Sequence, residues 1–161
     1  MDTETLSKYR AEVIERSINV ETIINAIVCQ RYFKKIIKDF YFEVLYDEYF
    51  SFGLKRRILE KIVKDIDQEK LNELNRLNNI RNYFAHCNQQ FFEAKDIEVK
   101  EGKLIEKSKG KVVDPRNTNK EINFEDLYIE YMTKVGNVET YLHDIYMKMG
   151  GKSLKQFTEG V

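Results

Sequence analysis

Hydrophobic positions recur at three- and four-residue steps through the first 33 residues: Leu6, Tyr9, Val13, Val20, Ile24 and Ile27, with the small Ser17 keeping the register. That spacing places apolar side chains on one side of a helix. The pattern predicts one long amphipathic helix from Thr3 to about Phe33, or two helices joined near Ser17. The next stretch, FYFEVLYDEYFSF, is dense in aromatics and has no clean period, so it predicts a helix end and a packed loop. Ser51 reads as the cap of a helix reaching about Ile66, with Leu54, Ile58, Ile62 and Ile66 inward. Asp67 reads as the cap of the following helix, Gln68 to near His86, whose inward set is Leu71, Leu74, Leu77, Ile80 and Phe84.

After Asn88 the helical pattern fails. Residues 91–121 alternate and carry turn signals. Ile97 and Val99 before KEGK, with Leu104 and Ile105 after it, predict a short hairpin, and the remainder reads as a mobile loop. Asn123 reads as the cap of a last long helix to about Met149, with Phe124, Leu127, Tyr131, Val135, Val138, Leu142 and Ile145 on one side. Gly150-Gly151 ends it, because glycine takes the left-handed cap without strain. The expected fold is all-α: an up-and-down bundle of four to five helices with a small β-like hairpin or loop insert. One helical domain spans 1–150, with its insert at about 91–121, and residues 151–161 form a flexible tail. No internal repeat is visible.

Composition agrees with this picture. At 161 residues the chain suits one domain with a proper core. Hydrophobic residues make up 42% and charged residues 34%, and a single proline with seven glycines favours helices over a turn-rich β fold. The net charge is zero, so bulk charge does not imply nucleic-acid binding and any basic site must be local. Cys29 and Cys87 lack the spacing of a zinc site and read as small buried thiols. The charged N-terminus has no signal-peptide core, and no run approaches the roughly 18 apolar residues of a membrane span. A cytoplasmic protein with no membrane partner is expected.

The chemistry concentrates in IRNYFAH, residues 80–86. A helix turns about 100° per residue, so Asn82 and His86 share a face one turn apart, while Arg81 and His86 diverge by about 140°. The trio suits metal-free RNA cleavage. Neutral imidazole, titrating near pH 6.5, can take the proton of a 2′-hydroxyl. Guanidinium offers a planar fork to a phosphate as charge develops. An amide such as Asn82 can orient the imidazole or bind the phosphate. No carboxylate cluster for magnesium accompanies them, so neither a metal nor another cofactor is expected.

RNYFAH resembles the signature of the HEPN superfamily: an arginine, four to six residues and a histidine, with Asn, Asp or His commonly following the arginine. HEPN domains are helical bundles that often dimerise, and many are metal-independent endoribonucleases of toxin–antitoxin, CRISPR and anti-phage systems. The resemblance covers most of residues 3–149 apart from the insert. It implies Arg81 and His86 as the catalytic pair and Asn82 as the supporting polar residue. It also implies an RNA substrate, a homodimer and an antitoxin or defence-system partner protein. The alternative is a catalytically silent dimeric bundle that serves as an interaction or regulatory module.

Lys107, Lys109, Lys111, Arg116 and Lys120 face one acid, Asp114, along a basic arm that could track an RNA backbone or be a solvated loop. Lys55, Arg56 and Arg57 read as a helix's wet face. The aromatics Tyr41, Phe42, Tyr46, Tyr49, Phe50 and Phe52 could stack bases but are expected in core or interface packing. Glu21 and His143 read as surface residues.

Overall fold

The computed structural model describes residues 3–47, 49–86, 93–100, 103–114 and 117–152. The fold is an all-α helical bundle with a three-stranded antiparallel sheet inserted before its last helix. In chain order the elements are α1 (Thr3–Phe33), a π-helical turn (Phe40–Val44), α2 (Phe52–Ile62), α3 (Gln68–His86), β1 (Glu93–Lys100), β2 (Lys103–Asp114), β3 (Asn117–Ile122) and α4 (Phe124–Lys148). They fall into two compact units, one of residues 1–15 and 79–133, the other of residues 16–78 and 134–161.

Three helix starts follow their capping residues. Ser51 Oγ accepts the Leu54 amide at 3.4 Å. Asp67 Oδ1 accepts the amides of Glu69 and Lys70 at 2.8 and 3.4 Å. Asn123 Oδ1 does the same for Glu125 and Asp126 at 3.0 and 3.4 Å. Each bond satisfies an N–H group that has no partner within its helix. α4 ends as expected: Gly150 has φ +85°, its amide donates to Met147 O, and the Gly151 amide donates to Tyr146 O. These two bonds form a Schellman cap. Gly151, assigned from sequence to the loose tail, is buried; residues 153–161 of that tail lie outside the described residues.

Among the described residues, the unit of residues 16–78 and 134–161 holds most of the buried apolar side chains. α1 is continuous through Ser17, which is buried, and every residue from Ile23 to Gln30 is buried. Val28 and Cys29 pack with Tyr41 and Leu45 of the aromatic stretch. Cys29 is a free thiol whose pKa burial pushes up, which suits an unreactive packing residue. Cys87 lies outside the described residues.

Three expectations need correction here. α2 stops at Ile62 instead of near Ile66, because Val63 turns extended and Asp65 takes a left-handed conformation at φ 59°. Its inward face is also rotated: Lys55 and Leu59 are buried, while Leu54 is exposed. Of the aromatics expected in core or interface packing, Tyr41 is buried, while Phe42, Tyr46 and Tyr49 are exposed and so lie outside the core.

In the other unit the predicted hairpin is present, with Lys100 paired to Lys103 and Val99 to Leu104. The expected mobile loop is strand over 107–114 and 117–120, because β2 runs on to pair with β3 in the order β1-β2-β3. α4 starts from buried Ile122 and Phe124, and Tyr128 stacks on Tyr9 with centroids 3.8 Å apart. The Tyr128 hydroxyl donates a hydrogen bond to Glu12. Among the described residues no helix is long and apolar enough to cross a membrane.

Candidate active site

Leu71, Leu74, Leu77, Ile80 and Phe84 are all buried, which is the face predicted for α3. The face that remains is set by this anchoring. Phe84 meets Phe124 edge-on, with centroids 5.1 Å apart and planes at 62°, which ties the last turn of α3 to the first turn of α4. Arg81 and Asn82 are half-buried, and His86 is exposed at the final helical position. Ile80 and Phe84 of IRNYFAH therefore hold the frame, with Arg81 and Asn82 at its half-buried edge and His86 exposed.

Arg81 Nη1 donates to Asn82 Oδ1 at 3.2 Å. Asn82 thus orients the guanidinium, where either the imidazole or a phosphate had been expected to use the amide. Arg81 Nε is buried with no hydrogen-bond partner, and among the described residues no carboxylate pairs with this side chain. A half-buried guanidinium without a counter-ion is prepared to receive an anion, because it has already lost part of its hydration. His86 makes no hydrogen bond or ion pair with any described residue. α3 stays helical through His86, so the divergence of about 140° from Arg81 holds. The structure joins Arg81 and Asn82 by a hydrogen bond, while His86 lies one turn beyond Asn82 on the same face and is not bonded to either.

Of the basic arm, Lys107, Lys109 and Lys111 lie on β2, with Lys107 in register opposite Asp96. The pairing of β1 shifts between Glu93 and Lys95, where Val112 and Ser108 are the partners, so the shift falls across Lys109 and Lys111. Arg116 lies outside the described residues. Among the described residues no group of three or more His, Cys, Asp or Glu gathers that could hold a metal ion.

Sequence reading missed one arrangement of charge and misplaced another. Lys55, taken for a wet-face residue, is buried and bonds Glu21, taken for a plain surface glutamate, at 2.8 Å. Arg31, Lys34, Lys64 and Lys148 surround one cavity, although they lie far apart in the chain. The only shared signal is their position at or just after helix C-terminal ends. His143 is exposed, as expected.

No protein-family model, no curated protein and no solved structure matches this chain. The functional reading therefore rests on the site's own residues.

Proposed function

We propose that the protein is a metal-independent endoribonuclease of HEPN type, acting in the cytoplasm as a toxin or anti-phage effector and working as a homodimer. The observation that carries this reading is Arg81: half-buried, held by Asn82, unpaired with any described carboxylate, and five residues ahead of an exposed imidazole. His86 takes the proton of a ribose 2′-hydroxyl as the 2′-oxygen bonds to the adjacent phosphorus. Arg81 binds the phosphate and stabilises the charge that grows on its oxygens. The phosphorus–O5′ bond breaks, and the leaving 5′-oxygen takes a proton. The products are a 2′,3′-cyclic phosphate and a 5′-hydroxyl. Lys107, Lys109, Lys111 and Arg116 supply backbone contacts to the RNA, and an antitoxin or defence-system protein restrains or triggers the enzyme.

One observation favours the second reading, a silent dimeric bundle. A general base usually has a group that orients it, and His86 has none among the described residues. The test is incubation of purified protein with RNA in excess EDTA, followed by analysis of the new ends. Cyclic phosphate ends that vanish in His86→Ala support the enzyme. Cleavage abolished by EDTA and restored by magnesium would falsify the metal-free mechanism, and intact RNA under all conditions favours the silent bundle.

A further inference from the structure

Within the unit of residues 16–78 and 134–161, three helices end around one cavity. Lys34 follows the last residue of α1, Ile62 closes α2 and Lys148 closes α4, and all three line a space of about 600 Å³. Gln30 draws two of these ends together, donating from Nε2 to Met149 O at 3.0 Å. Sites of this volume hold small organic ligands.

The charge around the cavity exceeds what the helices need. Arg31, Lys34, Lys64 and Lys148 line it against one carboxylate, Asp65. Cations at helix C-termini ordinarily offset the macrodipole, worth about half a negative charge per end. Three ends and Asp65 therefore offset about 2.5 positive charges, and four are present. None of the four cationic side chains has a hydrogen bond or ion pair to a described residue.

Lys34 carries a second signal. It sits at the left-handed closing position of α1, with φ 58° and its amide bonded to Gln30 O at 3.2 Å. Glycine takes this position without strain. Here it is an exposed lysine with no packing to offset the strain. Lys34 and Asp65 are the only non-glycine residues with positive φ among those described, and both line the cavity. Local conformational conflict of this kind concentrates at functional positions. Tyr141 adds a donor: its hydroxyl accepts the Asp67 amide at 2.9 Å, which leaves its own proton to give.

The rest of the lining is aliphatic, from Ile62, Val63, Ile145 and Met149, with no Asn, Gln, Ser or Thr to read the edge of a nucleobase. We propose that the cavity binds a small aliphatic phosphate, a mono- or diphosphate ester of a short alkyl or isoprenoid alcohol. The phosphates lie among the four cations and Tyr141, and the hydrocarbon lies on Ile145 and Met149. The cations ring a cavity instead of forming the stripe a polynucleotide needs. This assignment is independent of RNA cleavage at Arg81 and His86.

The experiment is calorimetric titration of the full chain with geranyl diphosphate, with pyrophosphate, decanoate, ATP and a single-stranded RNA oligomer as separate arms. Geranyl diphosphate binds in the micromolar range, and each other ligand binds about tenfold weaker or less. Lys64→Gln with Lys148→Gln weakens binding about tenfold while the circular dichroism spectrum is unchanged. Lys34→Gly weakens binding without lowering Tm, because it removes a cation and relieves the left-handed turn. Pyrophosphate or decanoate binding as tightly overturns the need for the hydrocarbon or the phosphate, respectively. Tighter binding of ATP or RNA that is lost in the same variants assigns the cavity to nucleotides and overturns the proposal. So does geranyl diphosphate failing to bind at about 1 mM, or binding equally well to the charge variants.

Discussion

Lys55 Nζ lies 2.8 Å from Glu21 Oε2, with the lysine side chain 3% exposed and the glutamate side chain 21% exposed. The ammonium also sits 5.2 Å from the centroid of the Tyr46 ring, whose hydroxyl shares a 3.0 Å hydrogen bond with Thr22. Removing one partner of a buried pair strands the other, at about 3–5 kcal/mol. Glu21→Ala is expected near the lower end of that range, because Glu21 keeps some exposure. Lys55→Met combined with Glu21→Gln keeps the volume and strands no charge, so it should fall within about 1 kcal/mol of wild type. Urea denaturation of the three proteins checks this, and a Glu21→Ala midpoint equal to wild type would refute the pair's structural role.

Two glycines should respond in opposite directions to alanine. A Cβ at Gly136, inside α4, meets nothing within 4 Å. Gly136→Ala should therefore stabilise by about 0.5–1 kcal/mol, by removing backbone freedom from the unfolded chain. A Cβ at Gly151 runs into the ring of buried Tyr146. Gly151→Ala should destabilise by about 1–3 kcal/mol. Thermal melts of both variants give the signs directly.

Alkaline stability should depend on Tyr128. The hydrogen bond to Glu12, followed by burial, raises its pKa to about 12 from an ordinary 10.0. The folded state therefore holds this proton more tightly than the unfolded state does. The resulting stability is fully present below pH 10 and is lost as pH climbs through about 12. Tyr128→Phe should flatten part of that loss in a pH series of melts. Burial also raises Tyr146 and Tyr41, so some slope remains.

The proposed nuclease site should be composite. On α3, Arg81 and His86 diverge by about 140°, and two copies packed about a two-fold axis bring one chain's arginine near the other's histidine. Mixing Arg81→Ala with His86→Ala under subunit exchange makes half the dimers mixed, each with one restored site. Activity should return to about a quarter of wild type. Verified exchange with no recovered cleavage rules out sharing.

Neutralising Lys107, Lys109 and Lys111 on β2 should weaken RNA affinity and flatten its salt dependence, because each phosphate contact releases counter-ions. Turnover at saturating RNA should change little. An unaltered salt slope removes these lysines from the RNA path.

The readable parts of the chain were those governed by local rules. The α3 stripe from Leu71 to Phe84 and the caps Ser51, Asp67 and Asn123 depend on neighbours within a turn or two, and periodicity reports them faithfully. Lys55 could not be read, because its burial depends on Glu21, which lies 34 residues away on another helix. The strand character of 107–114 was hidden by its lysines, which suit a wet loop as well as a strand. Arg81, Asn82 and His86 stood out by residue type and spacing. The bond that commits Asn82 to Arg81 is a rotamer choice that sequence does not encode. The cations of the cavity left only a faint trace, one or two residues at or just after each of three helix ends.

The sheet order β1-β2-β3 has a consequence for self-association. Among the described residues each outer strand has one side not hydrogen-bonded to another strand, and such a side is a template for adding a further strand. β1, EAKDIEVK, has five charges in eight residues, which discourages an incoming strand. β3, NTNKEI, has two in six. Growth of this sheet by a strand from another chain is therefore least opposed at β3, immediately before the turn into α4.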